Sequence, residues 1–209
     1  MGKFLIFCAA EFDALAAPVG AEDFLLAADG GLRHLNKLNL KPHGILGDFD
    51  SLGFVPEGAQ VFPVEKDDTD SIYAMRMGLE RGYRDFVLYG GLGGSRMDHS
   101  IANLQSLLFL AARGARGRIY GDGSCCTLIK NESISFPAEM KGNVSVFCMD
   151  GEARGVSIKG LKYELENAVL RSDFPIGVSN SFTGKTGHIA VRQGTLLVFY
   201  RGTYPENLY

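Results

Sequence analysis

The strongest restriction on the fold is a change of rhythm near residue 120. Before it, short apolar runs alternate with stretches of helical period. The runs are FLIFCAA (4–10), FLLAA (24–28), HGILG (43–47), QVFPV (60–64) and DFVLYGG (85–91); the helical stretches are GGLRHLNKLNL (30–40), DSIYAMRMGLERG (70–82) and DHSIANLQSLLFLAARG (98–114). Runs of four to seven apolar residues separated by amphipathic helices are what a mostly parallel sheet covered by helices requires. After it the helical period disappears. SISF, NVSVFCM, GVSIKG, YELENAVL and HIAVRQGTLLVFY follow one another with Gly, Asn and Asp between them, which is the pattern of antiparallel strands. The sequence therefore predicts a Rossmann-like α/β domain over residues 1–122 and a smaller all-β sandwich over 123–209, divided at GDGS (121–124).

In an open α/β sheet, ligands bind beyond the carboxyl ends of the strands. Three of the predicted strands end in acid: Asp29 follows FLLAA, Asp48 and Asp50 follow HGIL, and Asp67, Asp68 and Asp70 follow QVFPV. In an extended GDFDS (47–51), Asp48 and Asp50 share a side, with Cα atoms about 6–7 Å apart. Carboxylates gathered at one edge repel and raise one another's pKa, and a hard divalent cation relieves that. Each acid also has an ordinary reading: Asp70 as a helix N-cap, Asp68 as a solvated residue, Asp29 before two glycines as a turn residue. As a set on three strand ends, they predict a metal site.

The last α/β strand runs into GGLGGSRMDHS (90–100), which places four glycines and Arg96 before a helix that begins near Asp98. Glycines let backbone amides approach a ligand, a helix N-terminus favours anions, and Arg96 adds a planar donor fork for phosphate oxygens. Asp98 is equally readable as an N-cap. TGKTG (183–187) resembles the end of a P-loop, but Ser179 stands where that motif needs Gly and strand sequence follows instead of helix, so a β-hairpin turn is expected there.

Composition narrows the partners. A net charge of −3, with no dense Lys/Arg stripe, excludes a nucleic-acid-binding surface. No stretch approaches the ~18 apolar residues of a membrane span. The N-terminal run MGKFLIFCAAEF stops at Glu11 and reads as a buried strand, not a signal peptide. Cys8, Cys125, Cys126 and Cys148 form no C-x-x-C pair and lie far from the four histidines, so reduced core thiols in a cytoplasmic protein are expected.

Taken together, ADGG (28–31), GDFDS (47–51), KDDTD (66–70), GLGGSRMDH (91–99) and SNSF (179–182) resemble the thiamine pyrophosphokinase family in order and spacing over essentially the whole chain. The resemblance implies a homodimer that transfers the pyrophosphoryl group of Mg-ATP to the hydroxyethyl group of thiamine and releases AMP. It assigns residues 1–122 to ATP and Mg²⁺ and 123–209 to thiamine. It implies that Asp29, Asp48, Asp50 and Asp70 hold Mg²⁺, that Lys66 and Arg96 contact ATP phosphates with Thr69, Gly93, Gly94 and Ser95 beside them, and that Asp70 or Asp98 accepts the hydroxyl proton. Ser179 and Asn180 would hydrogen-bond the aminopyrimidine, and Tyr163 stands where many relatives carry Trp; this chain has none. Two other activities fit the same residues: a pyrophosphokinase for another hydroxymethyl heterocycle such as a pterin, and a non-catalytic nucleotide or thiamine sensor.

Overall fold

The computed structural model describes residues 2–47, 55, 60–61 and 69–201. The chain divides into two compact units, Met1–Asp122 and Gly123–Tyr209. It is a mixed α/β protein with a large mixed sheet and a second, all-antiparallel sheet.

The first unit carries strands β1 (Phe4–Phe7), β2 (Phe24–Ala28), β3 (Gly44–Gly47), β4 (Gln60–Val61), β5 (Asp85–Tyr89) and β6 (Arg116–Gly121) and helices α1 (Leu32–Lys37), α2 (Asp70–Glu80) and α3 (Met97–Ala111). The strands are parallel and lie in the order β6-β5-β1-β2-β3-β4. Chain order runs outward from β1 to β4, then jumps back to β5 on the other side of β1. That reversal opens a crevice at the carboxyl ends of β1 and β5, where open parallel sheets bind ligands. All four residues of β1 are buried, as expected of a strand covered on both faces. Phe4 stacks on Phe24 at 4.9 Å and meets Phe86 at 5.6 Å, tying β1 to both neighbours. α2 reaches this aromatic layer through Gly78: a Cβ there would stand 2.5 Å from the Phe86 ring and 2.9 Å from Phe4.

Three corrections to the sequence reading concern the elements of this unit. RGRIYG (116–121) is a sixth parallel strand that the reading left unassigned, its alternation hidden by Arg118, which is buried and paired with Asp85 at 2.9 Å. Helix α2 is capped by Thr69, whose Oγ1 accepts from Ile72 N at 3.3 Å, so Asp70 is the first helical residue and not the cap. Helix α3 likewise starts at Met97 with Arg96 at the N-cap position, and Asp98 lies inside its first turn.

The second unit contains β7 (Ser124–Lys130), β8 (Ser133–Phe136), β9 (Asn143–Cys148), β10 (Glu152–Lys159), β11 (Leu165–Arg171), β12 (Asn180–Ser181), β13 (Gly187–Ala190) and β14 (Thr195–Arg201). β12-β9-β14-β7 are antiparallel neighbours, and β11-β10-β13-β8 form the four-stranded sheet. HIAVRQGTLLVFY, expected as one strand, is two strands in different sheets; the chain changes sheet around Gly194, whose φ of +113° breaks the extended run. TGKTG is not a hairpin turn. It joins β12, which pairs with β9, to β13, which pairs with β8 and β10.

Candidate active site

A cavity of about 530 Å³ lies at the carboxyl ends of β1, β2 and β5. Its charged lining is Asp29, Arg33, Asp70 and Arg96, so residues distant in sequence meet at the crevice that the strand order predicts.

Asp29 directly follows β2 in a left-handed conformation, φ +47°, which Asp adopts more readily than most residues. The end of β3 presses against it. Gly47 has φ +150°, and a Cβ there would come within 3.0 Å of the Asp29 Cα, so only glycine brings these two strand ends so close. Asp48, Asp50 and Lys66 lie outside the described residues, as do Asp67 and Asp68. Among the described residues no group of three or more His, Cys, Asp or Glu is arranged to hold a metal. Asp29 and Asp70 nevertheless line the same cavity and offer hard oxygen donors, which suits Mg²⁺.

Gly90 opens the glycine-rich loop with φ +70°; a Cβ there would stand 2.2 Å from the Ala10 carbonyl, so the loop can leave β5 hard against the segment that follows β1. Gly93, Gly94 and Ser95 line the cavity. The Gly93 N–H donates to Ser100 Oγ at 3.0 Å and so is engaged by α3. Arg96 closes the loop with a two-pronged ion pair to Asp98: Nη2 to Oδ2 at 2.8 Å and Nε to Oδ1 at 3.1 Å. The Arg96 hydrogen bonds pull Asp98 down to about 2. Arg96 lines the cavity and Asp98 does not. Cys8 lines it too; desolvation of its sulfur pushes the thiol up to about 12, although part of the residue faces the cavity, and Ser71 hydrogen-bonds it.

Asn103 and Ser71 were not singled out in the sequence. Asn103 is buried on α3; its Oδ1 accepts from Ser71 Oγ at 2.7 Å and its Nδ2 donates to the Gly91 carbonyl at 2.9 Å. A signal was available: the buried face of α3 reads Ser100, Asn103, Ser106, Leu107, Leu110, polar in its first half where a helix face against a sheet is ordinarily apolar. Arg33 also escaped notice. It lines the cavity from α1 with its Nε on the Gly30 carbonyl at 3.3 Å.

In the second unit, Tyr163, Ser179 and Asn180 come together where Leu161 bridges Phe182. Asn180 is buried and makes three side-chain hydrogen bonds: Oδ1 accepts from Tyr163 N and Ser181 N, each at 2.9 Å, and Nδ2 donates to the Tyr163 carbonyl at 2.6 Å. It clamps the backbone that carries the exposed Tyr163 ring, over which Lys162 Nζ sits 5.3 Å from the centroid. Ser179, exposed at φ +63°, donates its N–H to Ser145 Oγ at 3.0 Å.

Comparison with known proteins agrees with this layout. The profile described as thiamin pyrophosphokinase, catalytic domain, matches residues 18–116, and that described as thiamin pyrophosphokinase, vitamin B1 binding domain, matches residues 131–196. The thiamine pyrophosphokinase of Bacillus subtilis (strain 168) is 22% identical over 83% of this chain and 85% of its own length. Thiamin pyrophosphokinase 1 of Caenorhabditis elegans is 26% identical over 84% and 77%. The crystal structure of the Bacillus subtilis enzyme shares the fold, with a TM-score of 0.81 at 20% identity over 95% of this chain and 98% of that one. With both of its characteristic domains matched in order along one chain, the protein belongs to the thiamin pyrophosphokinase family.

Proposed function

We propose that this protein transfers the pyrophosphoryl group of ATP to the hydroxyethyl oxygen of thiamine, giving thiamine diphosphate and AMP. The observation that carries the reading is the pairing on one chain of the catalytic and vitamin B1-binding domain matches, the first of which spans most of the cavity-bearing unit. In the reaction the thiamine hydroxyl oxygen bonds to the β-phosphorus of ATP, the bond from that phosphorus to the α,β-bridging oxygen breaks, and AMP departs. The hydroxyl proton goes to a carboxylate. Asp98 is a weak base, because Arg96 holds it at about 2. Of the two carboxylates that the resemblance offers, Asp70, on the cavity wall, is the better acceptor.

Arg96 faces the phosphate chain and, together with Lys66 as the resemblance implies, would offset charge that builds on the transferred oxygens. Gly94 and Ser95 bring backbone close to the same chain. Thr69 fixes the start of α2 through its cap and so orients Asp70. Mg²⁺ would be held by Asp29 and Asp70 together with Asp48 and Asp50, and when bound it supplies further neutralisation of the phosphoryl oxygens. Residues 1–122 form the Rossmann-like ATP and Mg²⁺ half, and 123–209 the sandwich half that takes thiamine.

Thiamine is read onto the surface around Tyr163, Ser179 and Asn180. Asn180 acts there through the Tyr163 backbone, and the Tyr163 ring offers a face to the cationic thiazolium. Val169, Phe174, Ile176 and Val178, all exposed on the same unit, support a homodimer that covers them. The four free thiols support a reducing, cytoplasmic setting, and among the described residues no helix is long and apolar enough to cross a membrane.

The test is a product assay with Mg²⁺, ATP and thiamine. The reading predicts AMP and thiamine diphosphate in equal amounts. ADP in place of AMP refutes the pyrophosphoryl transfer, turnover with a pterin but not thiamine refutes the acceptor, and tight ATP binding without turnover of either points to a sensor.

A further inference from the structure

The cavity has two working sides. One is the start of α2, which carries Asp70; the other is the glycine-rich loop, which leads to Arg96. Ser71 follows Asp70 directly, and Gly91 lies at the root of the loop. One side chain joins them. Asn103 accepts from Ser71 Oγ at 2.7 Å and donates to the Gly91 carbonyl at 2.9 Å. One turn earlier on the same helix face, Ser100 takes the Gly93 N–H at 3.0 Å, so α3 grips two consecutive peptides of the loop.

The chemistry of position 103 is restrictive. The bridge needs an acceptor toward α2 and a donor toward the loop, about an amide's width apart. Asp lacks the donor, Leu lacks both, and Gln is longer by a methylene. Ser71 Oγ and Asn103 are both buried, so each hydrogen bond lies in low dielectric and a broken partner is left unsatisfied. A helix face packed on a sheet has no need of an amide for its own stability; Leu is the residue its neighbours at 107 and 110 use.

We infer that Asn103 is a positioning residue. It fixes the spacing between the Asp70 side of the cavity and the loop that delivers Arg96, so that the groups acting on opposite ends of the phosphate chain stay in register. The inference rests on the reading of this cavity as the ATP site. A bond-length error between such groups is expensive, since about 1 Å of misplacement can lower a rate by about 10²-fold.

The experiment compares the parent protein with Asn103→Leu, Ser71→Ala, Ser71→Thr and the Ser71→Ala/Asn103→Leu double variant. It measures kcat per folded molecule, well below each unfolding midpoint, and the Kd for ATP by calorimetry. Asn103→Leu is expected to lower kcat by about 10²-fold while ATP affinity weakens by about three- to tenfold, because the walls still hold nucleotide but at the wrong spacing. Ser71→Ala loses about tenfold, and Ser71→Thr, which keeps the hydroxyl, recovers most of that. The double variant matches Asn103→Leu within about twofold, because both changes cut the same strut. The inference fails if kcat and Kd stay within about twofold of the parent once folding is accounted for, or if the two single losses multiply in the double variant. A parent that binds ATP but makes no thiamine diphosphate overturns the assigned reaction alone, and the Kd series then decides the strut: an unchanged Kd in Asn103→Leu rejects it. A parent that does not bind ATP overturns both.

Discussion

Replacing Asn180 by Ala should destabilise the second unit by an amount readable from its three hydrogen bonds. The side chain is 7% exposed and bonds Tyr163 N, Ser181 N and Tyr163 O at 2.9, 2.9 and 2.6 Å. A neutral hydrogen bond contributes about 0.5–1.5 kcal/mol net, which would give up to about 4.5 kcal/mol for three. Tyr163 is 59% exposed, so water reaches its freed backbone groups and the loss falls toward the lower end, about 2 kcal/mol. With a urea slope of about 1–3 kcal/mol/M, the midpoint should fall by roughly 1 M. Circular dichroism is the probe, because the chain has no Trp to report by fluorescence. Asn180→Asp sharpens the test. It keeps the acceptor for both N–H groups but sets a carboxylate oxygen against the Tyr163 carbonyl, which raises its pKa in the folded state. A raised carboxyl pKa contributes stability at low pH and loses it as pH rises, so this variant should regain stability relative to the parent below about pH 4. A loss below about 0.5 kcal/mol in Asn180→Ala would falsify the clamp.

Other expected outcomes follow from the first unit. Gly78→Ala gains about 1 kcal/mol of helix propensity, yet its Cβ meets two buried rings at 2.5 and 2.9 Å, and overpacking costs about 1–3 kcal/mol; net destabilisation is expected, and a stabilised variant in thermal melts refutes the packing of α2. Cys8, raised to about 12 by desolvation, should alkylate slowly at neutral pH with a rate that keeps climbing through pH 10; a plateau near pH 8–9, seen by mass spectrometry, contradicts this. Asp98 should titrate near 2 by carboxyl carbon NMR, and Arg96→Gln should return it toward the ordinary Asp value of about 3.9. Because the folded pKa is depressed, what the pair adds to stability is present above about pH 4 and is lost as pH falls through about 2.

Local sequence carried the alternation of strands and helices because apolar runs and helical periods are properties of short windows. Asp29, Asp70 and Arg96 were legible for a related reason: each sits just past a strand or at a helix start, and parallel strands bring such positions to one edge. β6 was hidden because its inward Arg118 breaks the apolar pattern, and its partner Asp85, thirty-three residues away, helps make that burial tolerable. The sheet exchange at Gly194 depends on which neighbours β13 and β14 find, and a window cannot see that. Asn103 was missed for the same reason: its meaning lies in Ser71 and Gly91, two contacts that exist only after folding. Thr69, and not Asp70, caps α2, and that choice between adjacent residues turns on backbone angles that composition does not encode.

The polar side chains under the cavity divide the labour in a way that matters for how such a protein can change. Ser71, Ser100 and Asn103 are uncharged and tie α2, α3 and the glycine-rich loop together by hydrogen bonds, whereas Asp29, Arg33, Asp70 and Arg96 bring charge to the same cavity. The neutral side chains that brace the hole are thus chemically distinct from the charged ones that act on its occupant. A lineage can exchange the facing residues to alter what is held without dismantling the frame, while a change in the frame disturbs every occupant alike.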